Sequence, residues 1–527
     1  MARKPKQNLK HSKRKAKSEG RNGTGRLILT GLVIIAQIDL AFIQLLKFQD
    51  AFPVTYLISW AVSLVTVLII HSQRKNSAIK VPWIILILAL PVFGVFLYFI
   101  TELSAKLSGM KKRYRKTLEQ ILPHASQDLT IIRELEKKDI TAANMFRYVQ
   151  MNSGYAAFKN TKVDFYADAK EGYEQQLKDI SRAKKFIFLE YFAIEDTISF
   201  HQLEEILVQK IKEGVKIRII YDDIGSIGYI SKRFYKRMLS LGIECCMFNP
   251  VVPFWKAFLN HRDHRKIAII DGEVGFTGGW NLADEYFGYK KPYGEWKDTA
   301  VRLEGEAVKN LMLIFLELWN STKNTNYRDK DFTSYFSTKK FNFKNSGYVQ
   351  PYPVNPLSLN HTGEDVYMNI ISSAKKYVYI TTPYLLLMDE MKKALTLAAK
   401  RGVDVRIITP GIPDKKLVYK ITRSYYGPLV KEGVLIYEFT PGFCHAKQVV
   451  SDDVVATCGT VNFDFRSFYH HFENGVLLYN CPAVNDIKED FYNLFAKSRE
   501  VSSEYKFQRG FFKRFMDGIY RLLAPML

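Results

Sequence analysis

The stretch His264-Arg265-Lys266-Ile267-Ala268-Ile269-Ile270-Asp271, followed after six residues by Gly278-Gly279-Trp280-Asn281, returns 181 positions downstream as His445-Ala446-Lys447-Gln448-Val449-Val450-Ser451-Asp452 and then Gly459-Thr460-Val461-Asn462. Both copies read H-x-K, four residues, D, six residues, G-G/T-x-N. Identical inner spacing in two places marks one structural unit used twice. Around each His, β-branched and apolar residues run up to Asp271-Gly272 or Asp452-Asp453, which supply turn chemistry. A second short apolar run follows, so each copy predicts a β-hairpin.

Strand residues two apart share a face, so His264 projects with Lys266 and His445 with Lys447. The hairpin brings Asn281 back toward His264 and Asn462 toward His445. Each copy thereby presents an imidazole, an ammonium and an amide. Asp271 and Asp452 complete the motif, but seven residues of extended chain, roughly 23 Å, separate each from its His. That distance excludes a Ser-His-Asp style partnership and makes them turn residues that fix the hairpin. A lone H-x-K more often marks a structural His; the doubled pattern reverses the balance.

Neither copy has Cys or carboxylate at ligand spacing beside the His, so no metal is expected and no cofactor is called for. Two imidazoles, two lysines and two carboxamides suit a phosphate. Lys266, Asn281, Lys447 and Asn462 supply donors for its oxygens. One imidazole can attack phosphorus while the other can protonate the departing oxygen.

These motifs resemble those of the phospholipase D superfamily and, more narrowly, of bacterial cardiolipin synthases within it. The likeness runs from about residue 75 to the end. It includes Lys80 to Tyr98, Phe188-Leu189-Glu190-Tyr191-Phe192, Ile380-Thr381-Thr382-Pro383-Tyr384 and the terminal Arg521 to Leu527. Gly279 and Thr460 stand where Ser is commoner. The resemblance implies two halves sharing one active site, with His264, Lys266, Asp271, His445, Lys447 and Asp452 as its catalytic motif residues. It also implies that Asp298 and Glu473, 34 and 28 residues after their respective histidines, hold the second nitrogen of a catalytic imidazole and fix its tautomer.

The repeat extends further. Lys184 to Phe188 parallels Lys375 to Tyr379, and Lys212 to Ile220 parallels Lys400 to Ile408, a helix end with Gly as C-cap running into a strand. Helical patterns at 200–213 and 388–401 lie between. The expected fold is α/β: two duplicated sandwich halves, 151–330 and 345–504, preceded by transmembrane helices.

The 47% hydrophobic and 14% aromatic content supports large cores and membrane contact. Within a membrane region at 27–104, apolar runs at 27–46, 54–70 and 81–100 are each near spanning length, the third interrupted by Pro91 and Gly94. No cleavage site follows the first run, which favours an anchor over a signal peptide. The basic tail 1–26 holds ten Lys or Arg against one Glu, which places the N-terminus in the cytoplasm. Three crossings would then put the enzyme outside, against the basic flank Lys111 to Lys116. A cytoplasmic catalytic region follows if one run fails to cross, either the first with its Asp39 or the third by a re-entrant turn. Five cysteines form no disulfide framework.

Residues 105–150 read as a basic helical linker. In 505–527, Phe507, Phe511, Phe515, Ile519 and Leu522 form an apolar stripe beside basic residues; it suits a helix in an anionic headgroup layer or one packed on the catalytic core. The partners expected are phosphatidylglycerol, other anionic phospholipids and the membrane, with no nucleic acid. The resemblance implies the reaction of two phosphatidylglycerol molecules to cardiolipin and glycerol through a phosphatidyl-histidine. A hydrolytic phospholipase D or related phosphatidyltransferase, a membrane-tethered nuclease and a silent lipid scaffold are the rivals.

Overall fold

The computed structural model describes residues 53–106, 109–250, 261–322, 331–344, 346–507 and 510–526, with Leu32, Ile35, Asp39 and Asp329. The expected tail 1–26 and nearly all of the first apolar run lie outside the described residues. Three helices open the described chain: α1 (Pro53–Ser72), α2 (Ser77–Ala89) and α3 (Pro91–Lys106). The third apolar run is broken at Leu90, whose φ of −136° and ψ of 76° leave the helical region. Pro91 lacks the N–H that a continuing helix needs, and the chain folds back. Trp83 and Tyr98 pack edge to face at 5.5 Å across the resulting hairpin. A Cβ on Gly94 would lie 2.6 Å from the Ile87 Cα, so only glycine allows this approach. Thirteen residues in α2 reach about 20 Å, short of the roughly 30 Å hydrocarbon core. Among the described residues no helix is long and apolar enough to cross a membrane.

The catalytic body follows as two sheets. The first half supplies β1 (Thr161–Tyr166), β2 (Phe186–Tyr191), β3 (Lys216–Asp222), β4 (Glu244–Phe248), β5 (Arg262–Asp263), β6 (Lys266–Ile270), β7 (Val274–Gly278), β8 (Glu295–Lys297) and β9 (Ala300–Gly305). The second supplies β10 (Tyr348–Val354), β11 (Tyr377–Thr381), β12 (Asp404–Pro410), β13 (Leu435–Phe439), β14 (Gly442–Cys444), β15 (Gln448–Ser451), β16 (Val455–Gly459), β17 (His471–Tyr479) and β18 (Ser498–Glu500). One sheet runs β1-β9-β7-β6-β2-β3-β4 and the other β10-β17-β16-β15-β11-β12-β13-β18. The first seven strands of each correspond in order. Both motif hairpins form as expected, with Ile270 opposite Val274 and Ser451 opposite Val455.

Phe186 to Leu189 in β2 and Ile267 to Ile270 in β6 are apolar without alternation because both faces are covered. One face of each sheet packs toward the other around α5 (Val308–Ser321), where Phe188, Ile267 and Ile269 share a core with Phe315, Tyr379, Val450 and Leu478. The outer faces hold α4 (Ile198–Lys212) on the first half and α6 (Asp389–Lys400) with α7 (Lys416–Val430) on the second. Each fully buried Leu, Ile or Phe contributes about 1.5–3 kcal/mol.

The segment 105–150, expected as a linker, is part of this body. Tyr114 and Ile121 are buried in the inter-sheet core and Phe146 in the outer core of the second half. Two short helices complete the frame: α8 (Phe465–Tyr469) beside the second motif, and α9 (Phe511–Leu523), which packs on α7 and α2. Phe511, Phe512 and Phe515 on α9 stay exposed.

Candidate active site

Two very short strand pairs lock the halves together, and each delivers one histidine. Strand β5 runs parallel to the start of β17, and the His264 N–H donates to the Phe472 carbonyl at 2.8 Å. Strand β14 runs parallel to β8, and the His445 N–H donates to the Lys297 carbonyl at 2.7 Å. Each imidazole therefore leans on the backbone of the other half. Its carboxylate comes from there too. Glu473 Oε2 accepts from His264 Nδ1 at 2.9 Å, and Asp298 Oδ2 accepts from His445 Nδ1 at 2.7 Å. The pairing is thus crossed between halves. With Nδ1 held, the Nε2 lone pair is the one left for chemistry.

The lysines arrive by strand alternation. Lys266 Nζ donates to the His264 carbonyl at 2.7 Å. Lys447 Nζ donates to the His445 carbonyl and lies 2.8 Å from His445 Nδ1. All four side chains are buried, His264 at 8% exposure being the most open.

Burial dominates the electrostatics. It holds both imidazoles below their ordinary range, His445 at about 4, with neighbouring lysines acting in the same direction. It lowers Lys266 to about 7 and Lys447 to about 8, against the pull of Glu473 and Asp298. It also raises the Glu473 carboxyl well above the usual range. The His264 ring feels the charges of Lys447 and His445, and Lys266 feels Lys447, Glu473 and Asp298. Both motifs thus act within one electrostatic neighbourhood. A phosphodiester anion entering it restores charge to the lysines.

The motif aspartates need correcting as members of a catalytic set. Asp271 accepts from the backbone N–H groups of Lys184, Lys185 and Phe186 at 2.8, 2.7 and 2.9 Å. Asp452 does the same for Lys375, Lys376 and Tyr377 at 2.7, 2.8 and 3.0 Å. Both have positive φ, 54° and 55°, at the hairpin tips, which Asp tolerates better than most residues. They staple the hairpin to the neighbouring strand, as their distance from the histidines required.

The asparagines are buried but already engaged. Asn281 Oδ1 accepts from the Ala193 N–H at 3.1 Å and Nδ2 donates to the Tyr286 hydroxyl at 2.7 Å. The Tyr286 ring lies 5.5 Å from that of His445, so Asn281 reaches the second histidine's side as well. Asn462 Nδ2 donates to Asp464 at 3.0 Å, and its Oδ1 has no partner.

The two departures from the commoner Ser have distinct effects. A Cβ at Gly279 would fall 1.9 Å from Asp298 Oδ1, so the missing side chain makes room for that carboxylate. Thr460 instead donates its hydroxyl to Glu473 Oε2 at 2.5 Å, and Ser467 serves Oε1 at 2.9 Å.

Two features escaped the sequence. Arg265, between the motif His and Lys, points to the opposite face and is fully buried, donating to Glu317 at 2.5 Å and the Ile314 carbonyl at 2.9 Å. It pins the catalytic strand to α5. His471 projects from β17 on the Glu473 face, with its ring 5.6 Å from that of His264 and neither nitrogen hydrogen-bonded. Ligand atoms of His264, His471 and Glu473 lie within 4.8 Å of one another, close enough to hold a metal ion. Sequence spacing offered no such set because His264 and Glu473 come from different halves. The i, i+2 rule applied to Glu473 would have found His471.

Residues 177–319 and 367–495 match the family model described as "Cardiolipin synthase, PLD-like domain", and residues 58–101 match "Phospholipase D-nuclease N-terminal". The protein called cardiolipin synthase in Alkalihalophilus pseudofirmus is 32% identical over 93% of this chain and 99% of its own length. The chain belongs to the cardiolipin synthase family. The major cardiolipin synthase ClsA of Bacillus subtilis is 32% identical over 88% of the chain and 97% of that protein. An uncharacterised Streptococcus mutans protein is 39% identical over 87% and 98%. The crystal structure of phosphatidylserine synthase from Haemophilus influenzae superposes with a TM-score of 0.54 at 13% identity, covering 72% of this chain and 99% of that one, a likeness of fold.

Proposed function

We propose that this family member is itself a cardiolipin synthase, transferring a phosphatidyl group between two phosphatidylglycerol molecules. The observation that carries the reading is the crossed, buried pair of histidines, each with a lysine at its side and a carboxylate on Nδ1. His264 Nε2 attacks the phosphorus of the first lipid. The P–O bond to its terminal glycerol breaks, and that oxygen takes a proton from His445. A phosphatidyl-histidine results. The free glycerol hydroxyl of the second lipid gives its proton to His445, its oxygen attacks phosphorus, and the P–N bond breaks. Cardiolipin and glycerol are the products, and no proton is gained or lost overall. Lys266 and Lys447 hold the non-bridging oxygens, with Asn281 and Asn462 beside them. The near-symmetry of the halves permits exchanged histidine roles; trapping labelled lipid and locating the modified residue tests the assignment.

The membrane setting rests on an inverted distribution of apolar residues. Helices α1–α3 share a small core of Ile70, Ile87 and Tyr98, while Leu57, Leu64, Val65, Leu68, Ile85, Leu88, Phe96 and Phe99 face outward. Such a surface is at home in lipid rather than water. The α2–α3 hairpin returns to the side it left and adds no net crossing. With the basic flank at 111–116, that favours a cytoplasmic catalytic body. Helix α9 lies against α2 with its phenylalanines exposed and extends the same lipid-facing surface. A reporter fused at the C-terminus tests the side.

Purified protein on phosphatidylglycerol vesicles should release cardiolipin and glycerol in equal amounts, and His264→Ala and His445→Ala should abolish both. Phosphatidic acid without cardiolipin would replace this reading with a hydrolytic phospholipase D.

A further inference from the structure

A transferase whose acceptor is a phospholipid faces two phosphates at once. One is bonded to the histidine and held by Lys266 and Lys447. The other belongs to the incoming lipid and sits beyond the glycerol whose hydroxyl attacks. Placing it on the same lysines would put two anions on one site, so a second cationic or donor-rich place near the first is required by the chemistry.

Such a place lies on the His264 side. The β5–β17 pairing sets Arg262 opposite His471, and the His261 and His470 rings stand 6.4 Å apart on the same junction. Arg466 on α8 is tied to His470, whose N–H donates to the Arg466 carbonyl at 2.9 Å. Arg466 and His470 are partly exposed, while His471 keeps only 11% of its side chain exposed and both its buried nitrogens lack a hydrogen-bond partner. Of the acids nearby, Asp222 accepts from Arg262 at 3.3 Å, Asp464 accepts from Asn462 and the Ser467 N–H at 3.0 and 2.8 Å while its charge also acts on Arg466, and Glu473 Oε1 stands 3.6 Å from His471 Nδ1. Arg466 and His470 stand one helical turn apart, and burial, joined by the Arg466 charge, holds both the His470 and His471 rings below their ordinary range.

The position also fits lipid entry. The neighbouring Tyr469 hydroxyl accepts from Asn76 Nδ2 at 3.3 Å, and Asn76 caps α2, the first arm of the apolar hairpin. Arg466 Nη2 reaches the Met526 carbonyl at 3.5 Å, just beyond α9. The cluster thus stands between the catalytic imidazoles and the two elements that face lipid.

We propose that Arg466, with His470 and His471, holds the phosphate of the acceptor lipid while its glycerol hydroxyl attacks the phosphatidyl-histidine. The inference rests on the synthase reading and names the part of the site that favours a phospholipid acceptor over a small alcohol. An arginine fork and two imidazole donors match a phosphodiester's two free oxygens.

The test compares two reactions of one intermediate. Vesicles of phosphatidylglycerol are given with labelled free glycerol, and cardiolipin formation is measured beside glycerol exchange into phosphatidylglycerol. In Arg466→Gln the ratio of cardiolipin to exchange should fall about ten-fold or more, the loss of one charge-assisted contact. Arg466→Lys should recover most of the ratio, and His471→Ala should lower it several-fold. A ratio in Arg466→Gln equal to that of the unaltered protein, whether or not both rates drop, overturns the proposal. Unaltered protein that makes only phosphatidic acid would overturn the synthase reading instead.

Discussion

The crossing of carboxylates between halves makes a prediction that neither half alone could. Asp298 Oδ2 receives the His445 Nδ1 proton, while Oδ1 accepts from the Thr299 N–H at 2.9 Å. In Asp298→Asn the amide oxygen stays with Thr299 and the NH2 faces His445, so the ring must present a lone pair at Nδ1. Its proton then sits on Nε2 in the neutral state, and the charged ring loses its carboxylate. His445, already at about 4 through burial, becomes a poorer proton carrier still. General acid catalysis is worth roughly 10²–10⁴ in rate, or about 3–5 kcal/mol, and most of it should vanish. The informative assay varies the leaving group. A phosphatidyl ester of p-nitrophenol departs without protonation, so Asp298→Asn should form the covalent adduct on it at near-normal rate while failing on phosphatidylglycerol. Glu473→Gln, which disturbs the attacking His264, should fail on both. If the adduct is trapped on His264 and Glu473→Gln is the variant rescued by the better leaving group, carboxylate and acid lie in the same half and the crossed geometry is wrong.

Lys266 near 7 and Lys447 near 8 in the empty site regain protons when an anion binds, so affinity for a non-cleavable short-chain phosphonate should fall as pH rises above about 7, by as much as ten-fold per unit per lysine; calorimetry in buffers of different ionisation enthalpy should show proton uptake near pH 8, and pH-independent affinity would refute it. Asp271→Ala and Asp452→Ala each free three backbone N–H groups and should cost about 2–3 kcal/mol in denaturant unfolding while leaving turnover per folded molecule largely intact; a selective loss of turnover would return them to the catalytic set. Arg265→Met strands Glu317 in the inter-sheet core and should cost about 3–5 kcal/mol, and a neutral outcome in thermal unfolding would show that the pair does not need its charge.

The motif hairpins, the duplicated halves and the interrupted third apolar run were legible because each depends on local pattern. Two-residue alternation fixed which side chains share a face, and Asp271 and Asp452 announced their turns by chemistry. What remained hidden depends on contacts between distant segments. Strands β5, β8 and β14, of two and three residues, carry no periodicity, yet they decide which carboxylate meets which imidazole. His471 shares a face with Glu473 and becomes notable only once β17 is seen to reach across to His264. In the segment 105–150 the many lysines and arginines mask Tyr114, Thr117 and Ile121, whose spacing of three and four is that of a buried helical stripe.

That division bears on how the chemistry is built. Separated from the second half, His264 would lose Glu473, and separated from the first, His445 would lose Asp298. Neither lysine would then be held in the buried neighbourhood that lowers its proton affinity. Each half also has an uncovered inner sheet face until α5, with Val484, Ile487 and Phe491 of the second half, fills the space between them. Catalytic competence and the central core therefore arise in the same docking event. A variant that loosens the inter-half core, such as Phe315→Ala, should lower activity at temperatures below its global unfolding, because the carboxylate–imidazole distances open before either sheet comes apart.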